Sequence, residues 1–109
     1  MRLDKLTLKA QEALQDAQGL AQKMGHQQID TEHLLLALLR QTDGLVAPIL
    51  QRVGVSPQQL EARLVKELQK IPQVRGSGAP LGQLYITPML EKALNAAWDE
   101  AERLKDEYV

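Results

Sequence analysis

Cysteine and phenylalanine are both missing from this 109-residue sequence, and its aromatic side chains amount to Tyr85, Trp98 and Tyr108. Without cysteine there is no disulfide framework and no thiolate metal site, which suits a reducing compartment. Strands favour aromatic and β-branched residues. The apolar set here is instead dominated by Leu and Ala, which points to helices throughout. An excess of either charge is also missing, since 13 basic against 14 acidic side chains leave a net charge of −1. No positive field gathers phosphates at long range, so nucleic acid is not an expected partner. No apolar run approaches the ~18 residues of a membrane span, and the opening segment sets Arg2, Asp4 and Lys5 among single leucines, too polar for a secretory signal. A cytoplasmic chain with no membrane partner is the expectation. Finally, none of the seven glycines precedes a Lys followed by Ser or Thr, so the chain has no phosphate-binding loop with which to hydrolyse ATP.

What is present reads as one all-α domain. The first helix is expected from Thr7, a capping residue, to about Met24, with Gly25 as its stop. Its apolar positions Ala10, Ala13, Leu14, Ala17, Leu20, Ala21 and Met24 make a narrow stripe of mostly small residues that lets another helix approach closely. Asp30 and Thr31 offer caps for a second helix, Glu32 suits its first turn, and Leu34 to Leu39 is almost wholly apolar, the mark of a helix buried on all sides. Thr42, Asp43 and Gly44 break it. A short helix over Leu45 to Val53 carries Val46, Ile49, Leu50 and Val53, and Gly54 closes it in a left-handed turn. Ser56, Pro57 and Gln59 form a strong start signal for a helix that buries Leu60, Leu64, Val65 and Leu68 and ends at Ile71 and Pro72. Gln73 to Gln83 has no periodicity and holds Gly76, Gly78, Pro80 and Gly82, so it reads as a mobile linker. Thr87 and Pro88 start a last helix through Leu90, Leu94, Ala97, Trp98, Ala101 and Leu104.

Shifting the chain on itself by the 80 positions between Thr7 and Thr87 aligns Ala13 with Ala93, Leu14 with Leu94, Ala17 with Ala97, Ala21 with Ala101 and Met24 with Leu104. Helical periodicity alone generates some of these matches, yet the small residues recur at one phase, as two copies of a unit would. The opening Met-Arg-Leu-Asp-Lys-Leu-Thr (1–7), the run Ile-Asp-Thr-Glu-His-Leu-Leu-Leu-Ala-Leu-Leu (29–39), the segment Pro-Gln-Val-Arg-Gly-Ser-Gly (72–78) and this duplication together resemble the N-terminal domain of the Clp unfoldase family. Within it, the opening heptad and the linker look like the bacterial disaggregase branch more than the adaptor-driven branches. The resemblance implies an orthogonal helical bundle of the Clp repeat type, with residues 1–71 as a first repeat, 72–86 as a linker and 87–109 as the opening helix of a second, partial repeat. A family repeat continues into a Thr-Glu-His-Leu-Leu helix, so the chain looks truncated at Val109. The last helix is then expected either to pack back on the first repeat or to pair with a second chain.

Candidate chemistry is sparse. His26, Asp30 and His33 are the only set with metal-ligand character, and two histidines without cysteine make a poor site; His33 reads better as packing in the first turn of a buried helix. Glu100 with Glu102 and Asp106 with Glu107 read as a solvated helix face and not as an acid–base pair. No catalytic residue, metal or cofactor is expected, ATP and Mg belonging only to the AAA+ modules that the resemblance places in a hexameric parent. What remains is an apolar groove between helices. The resemblance implies that it captures exposed hydrophobic segments of unfolded or aggregated proteins, and it associates Thr7 and Asp106 with substrate handling, although Thr7 equally reads as a cap and Asp106 as a surface acid. Leu94, and beside it Leu90 and Trp98, are the apolar candidates for the groove, Trp98 being equally suited to a core. An adaptor-docking domain of a Clp protease and a purely structural helical fragment are the alternatives.

Overall fold

The computed structural model describes residues 7–41, 43–73 and 85–103. Helix α1 spans Leu8–Lys23, with the Thr7 hydroxyl accepting a hydrogen bond from the Ala10 N–H at 3.1 Å. It ends where Gly25 takes φ +73° and the His26 N–H reaches back to the Ala21 carbonyl at 2.8 Å, a left-handed cap that a side chain at Gly25 would strain. Helix α2 (Thr31–Leu39) is capped by Asp30, and α3 (Val46–Arg52) closes at Gly54, φ +87°, with the same return bond from Val55 to Leu50. Helix α4 (Pro57–Gln69) starts on the Ser56 hydroxyl, which accepts from the Gln59 N–H. Helix α5 spans Pro88–Arg103.

Two short strands were not evident from the sequence. Strand β1 (Gln28–Ile29) and strand β2 (Tyr85–Ile86) pair in parallel, Gln28 opposite Tyr85 and Ile29 opposite Ile86. The 72–86 stretch expected to be linker therefore ends in a strand. Its residues 74–84, the opening 1–6, Thr42 and Leu104 to Val109 lie outside the described residues.

Two apolar clusters meet on α2. In the first, Ala17 and Ala21 of α1, Ile29 and Ala37 receive Leu90, Leu94 and Trp98 of α5. In the second, Leu36 and Leu39 of α2 pack on Leu64 and Leu68 of α4, with Val46 and Leu50 of α3 at the margin. That division explains an α2 that is apolar on every side. The small stripe of α1 works as its composition suggests, since Ala13, Ala17 and Ala21 are completely buried. Helix α3 reaches the second cluster only through Val46 and Leu50, so Ile49 and Val53 stand exposed at 56% and 69%. The buried side of α5 is its large stripe, Leu90, Leu94 and Trp98, while Ala93, the counterpart of Ala13, is exposed. Within the chain, α5 packs its Leu90, Leu94 and Trp98 into the cluster that α1 and α2 supply.

Candidate functional site: an apolar groove and the polar junction beneath it

Where α5 lies over α1 and α2 it leaves a groove of about 310 Å³. Ala10, Ala13 and Leu14 of α1 form one wall, Ala93, Leu94 and Ala97 of α5 the other, and Leu34 and Leu38 of α2 complete it. The lining is entirely Ala and Leu. Ala13 and Ala93, and Leu14 and Leu94, are the residues that the 80-position shift aligns, and all four line the groove. Small side chains hold the walls back and leucines make them apolar. Such a surface gains free energy from any apolar side chain laid in it, and it has no polar group with which to read a sequence.

The candidate residues fall in different places. Leu94 lines the groove. Leu90 lies in the core and outside the groove, completely buried, because the first turn of α5 drives it between α1 and β1. Trp98 is also a core residue, 9% exposed, and its indole N–H is buried with no hydrogen-bond partner among the described residues. Thr7 is exposed and caps α1 one turn before Ala10, so its direct contact is with the helix that builds the wall. Asp106 lies outside the described residues. Leu14, Leu34 and Leu38 were not singled out from the sequence. The signal that could have found Leu14 was already there, as the repeat partner of Leu94.

His26, Asp30 and His33 do come together, but as a hydrogen-bonded relay. The Asp30 carboxylate caps α2, accepting from the Thr31 N–H at 2.7 Å and from the His33 backbone, and the His33 ring completes a capping box by accepting the Asp30 N–H on Nδ1 at 2.9 Å. A backbone N–H can only donate, so the proton of the neutral His33 ring sits on Nε2, 2.8 Å from His26 Nδ1. His26 in turn faces the Leu68 and Ile71 carbonyls at the end of α4. Thr87 joins α5 to this junction. Its hydroxyl donates to Asp30 Oδ1 at 2.9 Å and accepts from the Leu90 N–H at 3.1 Å, so one side chain links the caps of α2 and α5. With the ring nitrogens engaged on one another and on the backbone, the trio offers no convergent lone pairs to a metal ion, and no group of three or more His, Cys, Asp or Glu is placed to hold one among the described residues.

Burial lowers the pKa of both rings below the ordinary value of 6.5; for His33 the neighbouring His26 adds to the effect, and Asp30 opposes it. The native rings thus resist protonation at pH values where the unfolded chain's rings accept it. Their contribution to stability is complete above about pH 6.5 and is lost as pH falls from there toward the lower native values. Urea denaturation at a series of pH values is expected to show the midpoint dropping below about pH 6.5 with uptake of about one to two protons on unfolding. A midpoint that stays level down to about pH 5.5 would show that the rings titrate freely in the native state.

Residues 5–109 match the family model described as the Clp repeat (R) N-terminal domain. The chain belongs to this Clp N-terminal domain family. It is 45% identical over its full 109 residues to the chaperone protein ClpB of Bacillus cereus and 46% identical to that of Nitratidesulfovibrio vulgaris. In both cases it spans 13% of the relative's length, at the N-terminal end. Among solved structures, the N-domain of ClpV from Vibrio cholerae superposes with a TM-score of 0.80 at 21% identity, over 96% of this chain and 60% of that one. The N-terminal domain of the chaperone ClpD from Arabidopsis thaliana does so with a TM-score of 0.69 at 16% identity, over 100% and 71%. These two similarities concern the fold. No helix among the described residues is long and apolar enough to cross a membrane.

Proposed function

We propose that this Clp N-terminal domain gathers substrate for an ATP-driven disaggregase, taking exposed apolar segments of unfolded or aggregated proteins into the groove between α1, α2 and α5. The observation that carries the reading is the lining, eight side chains that are all Ala or Leu. On this reading the parent is a cytoplasmic hexamer, and its AAA+ modules, which hold ATP and Mg, receive what the groove collects. Affinity from so small an apolar surface is modest, which suits capture followed by transfer. Thr7 and Asp106 remain proposed contacts, and Leu94 is the proposed contact inside the groove.

Ala93 allows a clean test. It is an exposed groove residue on α5, so a larger side chain there enters the groove without entering the core. Ala93→Glu places a carboxylate against leucines, and any ligand laid in the groove must strip water from it. Binding of fluorescently labelled unfolded casein, competed by generic apolar peptides, is expected to weaken by about tenfold or more, with the urea midpoint little changed. Unaltered casein binding in Ala93→Glu would remove the groove from consideration. Saturable binding to one folded adaptor, with none to casein, would favour the docking alternative.

A further inference from the structure

We propose that the buried His26–His33 relay is an acid-sensitive latch that holds α5 on the first four helices, so that adding one proton to it frees α5 while those helices stay folded. The geometry leaves a proton nowhere neutral to go. With the Asp30 N–H on His33 Nδ1, and His33 Nε2–H aimed at His26 Nδ1, the only nitrogens without a proton are the two Nδ1 atoms, and each already accepts a hydrogen bond. A proton on either sets two donors head to head at 2.9 Å or 2.8 Å, between rings that are 1% and 4% exposed. One link of the relay has to break.

The charged groups around the pair do not remove that conflict. From α2, the Asp30 carboxylate favours a proton on His33, but it is already accepting from Thr31, from the His33 backbone and from Thr87. The last turn of α1 contributes Lys23, which is exposed. Helix α4 turns the Leu68 and Ile71 carbonyls toward His26, while its own Glu67 and Lys70 pair with each other at the surface, 3.1 Å apart. The first turn of α5 offers the uncharged Thr87 hydroxyl and an exposed Glu91.

Helix α5 is the element that such a break releases. Its entry hangs on two adjacent residues, through Thr87 N–H to the Ile29 carbonyl at 3.0 Å and Thr87 hydroxyl to the Asp30 carboxylate, and Asp30 is the residue whose backbone the His33 ring holds. The α1–α2 contact rests on buried alanines and the α2–α4 contact on Leu36, Leu39, Leu64 and Leu68; His26 adds its bonds to the Leu68 and Ile71 carbonyls, which a break between the two rings leaves in place. Opening of one element while the rest of the fold persists is an ordinary mode of local unfolding. The latch does not depend on what the groove binds.

Trp98, the sole tryptophan, sits on α5 and reports its release. Between about pH 7.5 and about pH 5, acrylamide quenching of Trp98 in the 109-residue chain is expected to rise by about twofold or more, with its emission moving to the red and helical ellipticity essentially retained. His33→Gln, whose side chain can still close the capping box, should move the midpoint of that change, and H26Q/H33Q should abolish it. Quenching that is flat with pH, a transition that persists unaltered in H26Q/H33Q, or loss of ellipticity at the same midpoint each overturns the proposal. Imidazole nitrogen shifts of the native chain test it without any variant, and a proton found on Nδ1 of either ring at neutral pH also overturns it.

Discussion

Replacing Leu90 with Ala is expected to lower stability by about 2–5 kcal/mol and the Tm by roughly 10 °C or more. Leu90 is completely buried at the first turn of α5, against a cluster that includes Ala17, Ala21, Ile29 and Ala37. What makes the site severe is the shape of its neighbours. Three of those four are alanines, and an alanine has no free rotamer with which to swing into a void, so on that side the cavity closes only if a helix moves. Movement of α5 is resisted in turn by the Thr87 hydroxyl, which holds both the Leu90 N–H and Asp30. The cost therefore belongs near the upper end of the range for Leu to Ala. Urea denaturation followed at Trp98 and by circular dichroism measures it, and Leu90→Met, which keeps the volume, is expected to cost less than about 1.5 kcal/mol. A loss under about 1 kcal/mol for Leu90→Ala would mean that α5 is not anchored where the structure shows it.

The helices were legible because their punctuation is local. Thr7, Asp30 and Ser56 act within three residues of themselves, and Gly25 and Gly54 close turns that a left-handed φ requires, so no distant part of the chain is needed to recognise them. The paired strands were not legible, because two residues carry no period and Gln28 finds Tyr85 only after α2, α3 and α4 have been laid down. The groove lay between these extremes. Helix α5 bears two apolar stripes, one through Ala93 and Ala97 and one through Leu90, Leu94 and Trp98, and periodicity cannot decide which turns inward. Leu94 belongs to both the core and the groove, and so it was found; Leu34 and Leu38 were hidden in a helix apolar all round, where nothing marks one leucine from the next. The relay escaped for a simpler reason. A capping box is ordinarily read as Ser or Thr followed three residues later by Glu or Gln, and here Asp30 is followed by His33, whose imidazole Nδ1 does the work of a carboxyl oxygen.

The small stripe of α1 yields the second large effect, with the opposite change in volume. Ala17→Leu is expected to cost about 1–3 kcal/mol, and more if the helices cannot part. Ala17 is completely buried between Ala13 and Ala21, in the face along which α1 and α2 meet, and it also belongs to the cluster that receives Trp98. The added isopropyl group cannot reach solvent from this completely buried position. Any displacement that accommodates it pushes α1 from α2 or lifts α5, and all three helices wall the groove. The variant should therefore raise acrylamide quenching of Trp98 at neutral pH as well as lower the urea midpoint. One position along, Gln18 is exposed, and Gln18→Leu is expected to change stability by no more than about 0.5 kcal/mol. Equal, small effects at Ala17 and Gln18 would show that the alanine stripe reflects helix propensity alone. A large loss at Ala17 only, accompanied by weaker casein binding, would tie the close packing of α1 on α2 to the shape of the groove they share with α5.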